Sequence, residues 1–192
     1  MTMTDSKIGW GQHAVGGRIA FLRKSRHWSL ALLLFLFTGL SLHAIEEPSP
    51  SADFQALDLE GKAFRAASLR GKVVLLDFWA VWCSPCIAAF PTLGKWQQEY
   101  GERGLEVVGI ASYSGTPQDV AEFLRERAVG YTMLVGSEDL VEQFEVIGYP
   151  TYFLIGRDGK VFGKYVGEMK FSKDRLLADL EKLLQSRTGT EM

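Results

Sequence analysis

Reactive side chains are scarce in this chain. Three of its 192 residues are histidine (His13, His27 and His43), and all three fall before residue 45. The remainder has none. That excludes Cys–His nucleophile pairs there, and it excludes zinc sites built from cysteine and histidine. A copper site needing two cysteines and a histidine finds no support either. There are only two cysteines, Cys83 and Cys86. Net charge is small, −2, which argues against nucleic acid as a partner. No internal repeat or low-complexity segment is present. The uncharged, leucine-rich run from Ser29 to Leu42 is shorter than the ~20 residues that span a bilayer comfortably.

Charge is unevenly placed. Lys7, Arg18, Arg23, Lys24 and Arg26 face only Asp5 in the first 44 residues, and the rest of the chain is acidic. Residues 1–28 form a basic N-region. Residues 29–44, centred on Leu30 to Phe37, have the layout of a secretory h-region behind its basic flank. They read as a signal peptide or an N-terminal membrane anchor. Either reading places the remainder of the chain outside the cytoplasm, in the periplasm or at the outer face of the cell membrane, because the basic flank stays inside. Residues 45–52, with Pro48 and Pro50, are a linker of turn formers. Residues 53–186 form one domain, and 187–192 a frayed tail.

Within the domain, strand and helix patterns alternate. Phe54 to Leu59 and Ala63 to Arg65 flank a turn at Glu60-Gly61-Lys62, which predicts a hairpin. Val73 to Phe78 is apolar except for Asp77, as in a buried central strand. Ala89, Leu93, Trp96 and Tyr100 recur at helical spacing from Ser84 onward, with Pro91 as a kink. Leu105 to Ala111 predicts a second buried strand. Thr116 and Pro117 open a helix expected to stop at Gly130. Tyr131 to Val135 predicts a strand and Glu138 to Phe144 a short helix. Thr151 to Ile155 and Val161 to Val166 flank a turn, and Ser172 is expected to cap a last helix striped with leucine. This order predicts an α/β sandwich.

The two cysteines lie three apart at the junction of the central strand and the first helix. A strand feeding Cys-x-x-Cys at a helix start reads as a redox site of the thioredoxin type. The helix N-terminus presents free N–H groups and the positive end of the dipole, which favour a thiolate at the first cysteine. The second is one turn on, within reach of a disulfide. Pro85 occupies a first-turn position where a missing N–H costs nothing.

Asp77-Phe-Trp-Ala-Val-Trp-Cys-Ser-Pro-Cys86 closely resembles the thioredoxin active-site strand and loop. Leu57-Asp-Leu-Glu-Gly-Lys62 and Leu69-Arg-Gly-Lys-Val-Val-Leu75 resemble the TlpA/ResA/CcmG-like extracytoplasmic thiol–disulfide oxidoreductases of the redoxin / AhpC-TSA-like group. The likeness runs from about Ala52 to Leu184. It implies a thioredoxin fold, a central mixed sheet flanked by helices, with an N-terminal β-hairpin and an inserted strand–helix. It implies that Cys83 and Cys86 are catalytic as a redox-active disulfide, with no other cofactor and no metal. It implies supporting roles for Asp77, Trp82, Ser84, Pro85, Tyr149 and Pro150. Pro150 falls where the family has a cis-proline, Tyr149 where backbone pairs with substrate, and Asp77 where an acid takes the second cysteine's proton.

The resemblance further implies protein thiol and disulfide substrates, a DsbD/CcdA-like membrane electron donor, and a monomer. The Ser-Pro dipeptide is similar to that of reducing members. Cytochrome c maturation is one setting for such a reductase. Two departures count against it: Ala89 stands where ResA-like reductases carry glutamate, and Val146 to Tyr149 lacks the acid typical of the CcmG branch. Two other readings remain open from the residues. A thiol peroxidase of the AhpC/TSA type needs Thr or Ser three before its cysteine and Pro seven before, where this chain has Ala80 and Leu76. A copper or haem chaperone would use the CxxC as ligand, without help from histidine.

Overall fold

The apolar run before the cysteines forms the middle of the sheet. The computed structural model describes residues 51–186, so the basic N-region, the signal or anchor segment, most of the linker and the tail lie outside the described residues. The strands are β1 (Gln55–Asp58), β2 (Ala63–Arg65), β3 (Val73–Trp79), β4 (Leu105–Ala111), β5 (Thr132–Val135), β6 (Thr151–Ile155) and β7 (Val161–Val166). They form one seven-stranded sheet in the order β2-β1-β5-β4-β3-β6-β7. β3, β4 and β5 run parallel, and the other pairings are antiparallel. This is the expected thioredoxin-like mixed sheet, with the N-terminal hairpin at one edge.

Every residue of β3 is buried. A strand covered on both faces has no solvent side to mark with polar residues, which explains its near-continuous apolar sequence. Alternation still sorts its side chains. Val73 and Leu75 pack with Ala89, Leu93, Trp96, Leu176 and Leu180 on one face. Val74, Leu76 and Phe78 pack with Phe54, Leu140 and Phe144 on the other. Burying side chains such as Leu75, Leu76 and Phe78 contributes about 1.5–3 kcal/mol each.

The helices are α1 (Ser84–Tyr100), α2 (Pro117–Leu124), α3 (Glu138–Gln143) and α4 (Met169–Gln185). α1 joins β3 to β4 and α2 joins β4 to β5, so parallel neighbours are linked by crossover helices. The surplus chain between Cys86 and Pro150 is taken up by α2, β5 and α3, of which β5 adds a parallel strand beyond β4. α1 runs through Pro91 to Tyr100 and buries Ala89, Leu93, Trp96 and Tyr100. No described helix is long and apolar enough to cross a membrane.

Two helix ends differ from expectation. α2 closes at Leu124, with Arg125 as its C-cap, six residues before Gly130. Its start is a full capping box between Thr116 and Asp119, but Arg125, Glu126 and Arg127 have no apolar face to bury, and packing is what sustains a short helix. α4 begins at Met169 rather than after Ser172, which lies in its first turn with a buried, unpartnered Oγ. Met169 is itself buried in the core, and that contact draws the start back by about a turn.

Candidate active site

Cys83 is the N-cap of α1. Its backbone is extended (φ −90°, ψ 91°), and its Sγ accepts a hydrogen bond from the Cys86 N–H at 3.3 Å. Its carbonyl accepts from the N–H groups of Cys86 and Ile87, at 3.1 and 3.2 Å. The sulfur thus does what a serine or aspartate oxygen does at an ordinary cap. It also sits where the free N–H groups of a 17-residue helix converge. Cys83 and Cys86 are joined as a disulfide, their Cα atoms 5.3 Å apart. Access is unequal: Cys86 is 0% exposed and Cys83 4%. Ser84 between them is exposed and Pro85 half-buried.

Three loops meet around this pair. Trp82, 62% exposed, stands edge-on to the Tyr149 ring at 5.5 Å. The Tyr149–Pro150 peptide is cis, Pro150 is buried, and its carbonyl accepts from Gly167 N–H at 2.9 Å. The third loop follows β4. Ser114 Oγ accepts from Val81 N–H at 3.1 Å and donates to the Ser112 carbonyl at 2.9 Å, so the loop is tied to the bridge that carries Trp82. Between the serines, Tyr113 takes a positive φ of 49° and is 52% exposed. Burial, the largest cause, raises the Tyr149 phenol pKa; the Ser112 side chain opposes that and Tyr113 adds to it. With Ile147, 87% exposed, these aromatics present apolar surface on the loops around the disulfide.

Asp77 lies beneath. It is the one charged residue buried among the described residues. In the sheet it pairs with Gly109 of β4 and Tyr152 of β6. Its Oδ2 accepts from the Tyr131 hydroxyl at 3.4 Å, and its Oδ1 has no partner. Burial pushes its pKa up to about 8, against a lowering by Tyr131. Trp79, also wholly buried, packs edge-on to Phe90 at 5.0 Å in the cluster that holds both cysteines. Ala89 is buried on α1 and brings no carboxyl. The acid beneath this dithiol is therefore on the strand and not on the helix.

Sequence reasoning singled out Asp77, Trp82, Cys83, Ser84, Pro85, Cys86, Tyr149 and Pro150. The fold gathers Trp82 to Cys86 at the β3–α1 junction, with Tyr149 against Trp82. Asp77 lies two residues before Trp79, inside the same strand. Sequence reasoning missed Tyr131, Tyr152, Ser112, Tyr113 and Ser114. Only one signal pointed to the last three: they follow the C-terminal end of a buried parallel strand, where open α/β sheets place their sites.

The redoxin family model matches residues 44–183. A thiol-disulfide oxidoreductase ResA from Bacillus cereus is 32% identical over 132 residues, covering 68% of this chain and 75% of its own. A solved thioredoxin-family thiol:disulfide interchange protein from Chlorobium tepidum is 30% identical, with a TM-score of 0.62 over 73% of this chain and 99% of its own. The exposed lipoprotein thioredoxin of Streptococcus pneumoniae is also 30% identical, with a TM-score of 0.60 over 69% and 100%. Matched along most of the described domain, with its cysteine pair at the strand–helix junction, the chain belongs to the redoxin family of the thioredoxin superfamily, alongside the ResA-type thiol–disulfide oxidoreductases.

Proposed function

We propose that this protein reduces disulfides in other proteins outside the cytoplasm, using Cys83 and Cys86 as its redox group. The activity class, thiol–disulfide oxidoreductase, follows from the family. One observation carries the assignment of roles: Cys83 is the N-cap of α1, next in sequence to exposed Trp82, while Cys86 lies wholly buried one turn into the helix.

The reduced protein attacks through the Cys83 thiolate. An S–S bond forms to the substrate, and the substrate's own S–S bond breaks, releasing one thiolate that takes a proton from solvent. Cys86 then gives its thiol proton to the Asp77 carboxylate and attacks Cys83 Sγ. The Cys83–Cys86 bond forms, the mixed disulfide breaks, and the second substrate sulfur leaves as a thiol once protonated. The substrate gains two electrons and the dithiol loses them. Trp82, Tyr149 and Tyr113 supply the surface on which the substrate chain lies, and cis-Pro150 fixes the loop beside it.

The reducing direction rests on the Ser84-Pro85 dipeptide, and the location on the basic, then apolar, leader. The pneumococcal relative, by name an exposed lipoprotein, favours the same side of the membrane. A reductant there needs electrons from across the membrane, so its partner is a DsbD/CcdA-like donor. Ala89 and the acid-free Val146–Tyr149 stretch favour general protein disulfides over cytochrome c maturation as the principal setting.

The test is a trap. In Cys86→Ser the first step proceeds and the second cannot, so disulfide-linked partners should accumulate and disappear with a thiol reductant. Cys83→Ser should trap none. Equal yields from both variants would invert the assigned roles, and no yield from either would remove the protein-reductase reading.

A further inference from the structure

Two phenols face the one buried carboxyl. Tyr131 enters from the segment ahead of β5, and its hydroxyl reaches Asp77 Oδ2 at 3.4 Å. Tyr152 is the cross-strand neighbour of Asp77 on β6, and its buried hydroxyl has no partner. Among the described residues no lysine or arginine acts on Asp77: the influences upon it are burial and the Tyr131 hydroxyl. α1 contributes Cys86 as the one titratable group among its buried residues near the disulfide, β4 contributes Gly109, and the buried residues of α2 and α4 are apolar. A carboxylate here has no cation to balance it among the described residues. It depends on a single hydrogen-bond donor.

Tyr131 is also held in place. Its ring lies edge-on to Phe90 at 6.3 Å, and Phe90 lies edge-on to Trp79 at 5.0 Å. Phe90 is one helical turn beyond Cys86, so the same aromatic group lines α1 below the disulfide and orients the phenol. A hydrogen bond to an ionised acceptor stabilises that form over the neutral acid, which accepts more weakly.

We propose that Tyr131 is a positioning residue for the dithiol chemistry: its hydroxyl favours the ionised form of Asp77 and orients the carboxylate that takes the Cys86 thiol proton. This rests on the mechanism given above, in which Asp77 serves Cys86. In that step the proton passes from Cys86 Sγ to Asp77, the Cys86–Cys83 bond forms, and the bond from Cys83 to its partner sulfur breaks. Tyr131 gives up no proton of its own. Without the donor, the carboxylate is less stable and ionises only at higher pH.

The experiment mixes the reduced full chain with 5,5′-dithiobis(2-nitrobenzoate) and follows release of the coloured thiolate across pH. The first release reports attack by Cys83, the second attack by Cys86. In the wild type the second rate should rise with pH as Asp77 ionises. In Tyr131→Phe that rise should move to higher pH, with a second-release rate at pH 7 lower by roughly three- to tenfold. In an Asp77→Asn background Tyr131→Phe should have no further effect on the second release.

A wild-type pH profile in Tyr131→Phe overturns the proposal, as does equal slowing in the Asp77→Asn background. A wild-type profile in Asp77→Asn alone removes Asp77 from the mechanism, and absence of the first release removes the oxidoreductase reading. Should Tyr131→Phe fail to fold, 3-fluorotyrosine in a Tyr152→Phe chain tests the same point. The more acidic phenol is a stronger donor, so the rise should move to lower pH, and an unmoved profile overturns the proposal.

Discussion

Asp77 is a carboxyl that the fold favours in its protonated form. Its pKa is near 3.8 in an open chain and is pushed up to about 8 by burial, with Tyr131 opposing. Between those values the folded state binds the proton and the unfolded state does not. Stability therefore falls as pH rises through this window, by at most about 1.4 kcal/mol per pH unit. Below pH 3.8 the contribution is fully present, and above about 8 it is lost. Asp77→Asn keeps the shape and removes the charge. Urea unfolding of the oxidised protein should show variant and wild type alike near pH 4. Their gap should widen steadily to pH 8, to several kcal/mol in favour of asparagine. Parallel curves would mean that Asp77 is not titrating in the folded state. The position of this residue could be read from the sequence, because one acid interrupts an apolar strand. Its tyrosine partner could not. Tyr131 lies 54 residues away, and only the sheet brings it near.

At the scale of elements, the sheet around Asp77 is close-packed enough to dictate a glycine. Gly109 of β4 lies between Asp77 on β3 and Met133 on β5. A Cβ there would overlap Met133 Sδ and come within 3.2 Å of Trp79 Nε1. Gly109→Ala should destabilise the fold by about 1–3 kcal/mol through overpacking, read as a lower urea midpoint. An unchanged midpoint would mean that Met133 moves aside freely. The β4–α2 loop makes the opposite case. Tyr113 is held at positive φ, a conformation that costs a non-glycine residue about 1–2 kcal/mol. Tyr113→Gly should match or exceed the wild type in stability and yet reduce a protein disulfide such as insulin's more slowly. A variant that is both less stable and equally fast would show that the side chain serves packing instead of substrate.

Strand identity was legible in β3, β4, β6 and β7, where apolar runs are bounded by turn formers. The end of α2 and the start of α4 were not legible. Those are set by which residues find a partner across the fold, as Met169 does and Arg125 to Arg127 do not. The strained loop at Tyr113 left no mark either, since tyrosine is the wrong residue by local preference.

For the molecule as a whole, the question is which way electrons flow. The domain exposes aromatic and apolar side chains around one buried disulfide. A surface of that kind serves an oxidant and a reductant equally, so surface alone does not choose. The relative stability of thiolate and disulfide at the head of α1 does. Strong oxidants stabilise their reduced thiolate form, as DsbA does at about −120 mV, whereas thioredoxin lies near −270 mV. Here the dipole of α1 and the N–H of Cys86 favour the Cys83 thiolate, while the complete burial of Cys86 disfavours a second negative charge there. The Ser-Pro dipeptide adds no charge to tip the balance toward thiolate. The potential should therefore lie nearer the thioredoxin value, within a few tens of millivolts of about −270 mV at pH 7. Equilibration with dithiothreitol redox buffers, read by thiol alkylation and mass, measures it directly. A value near −120 mV would reverse the proposed flow and make the protein an oxidant that needs no membrane donor. A thioredoxin-like value, in the extracytoplasmic setting proposed above, makes such a donor a requirement, because an oxidising compartment would otherwise leave Cys83 and Cys86 permanently joined.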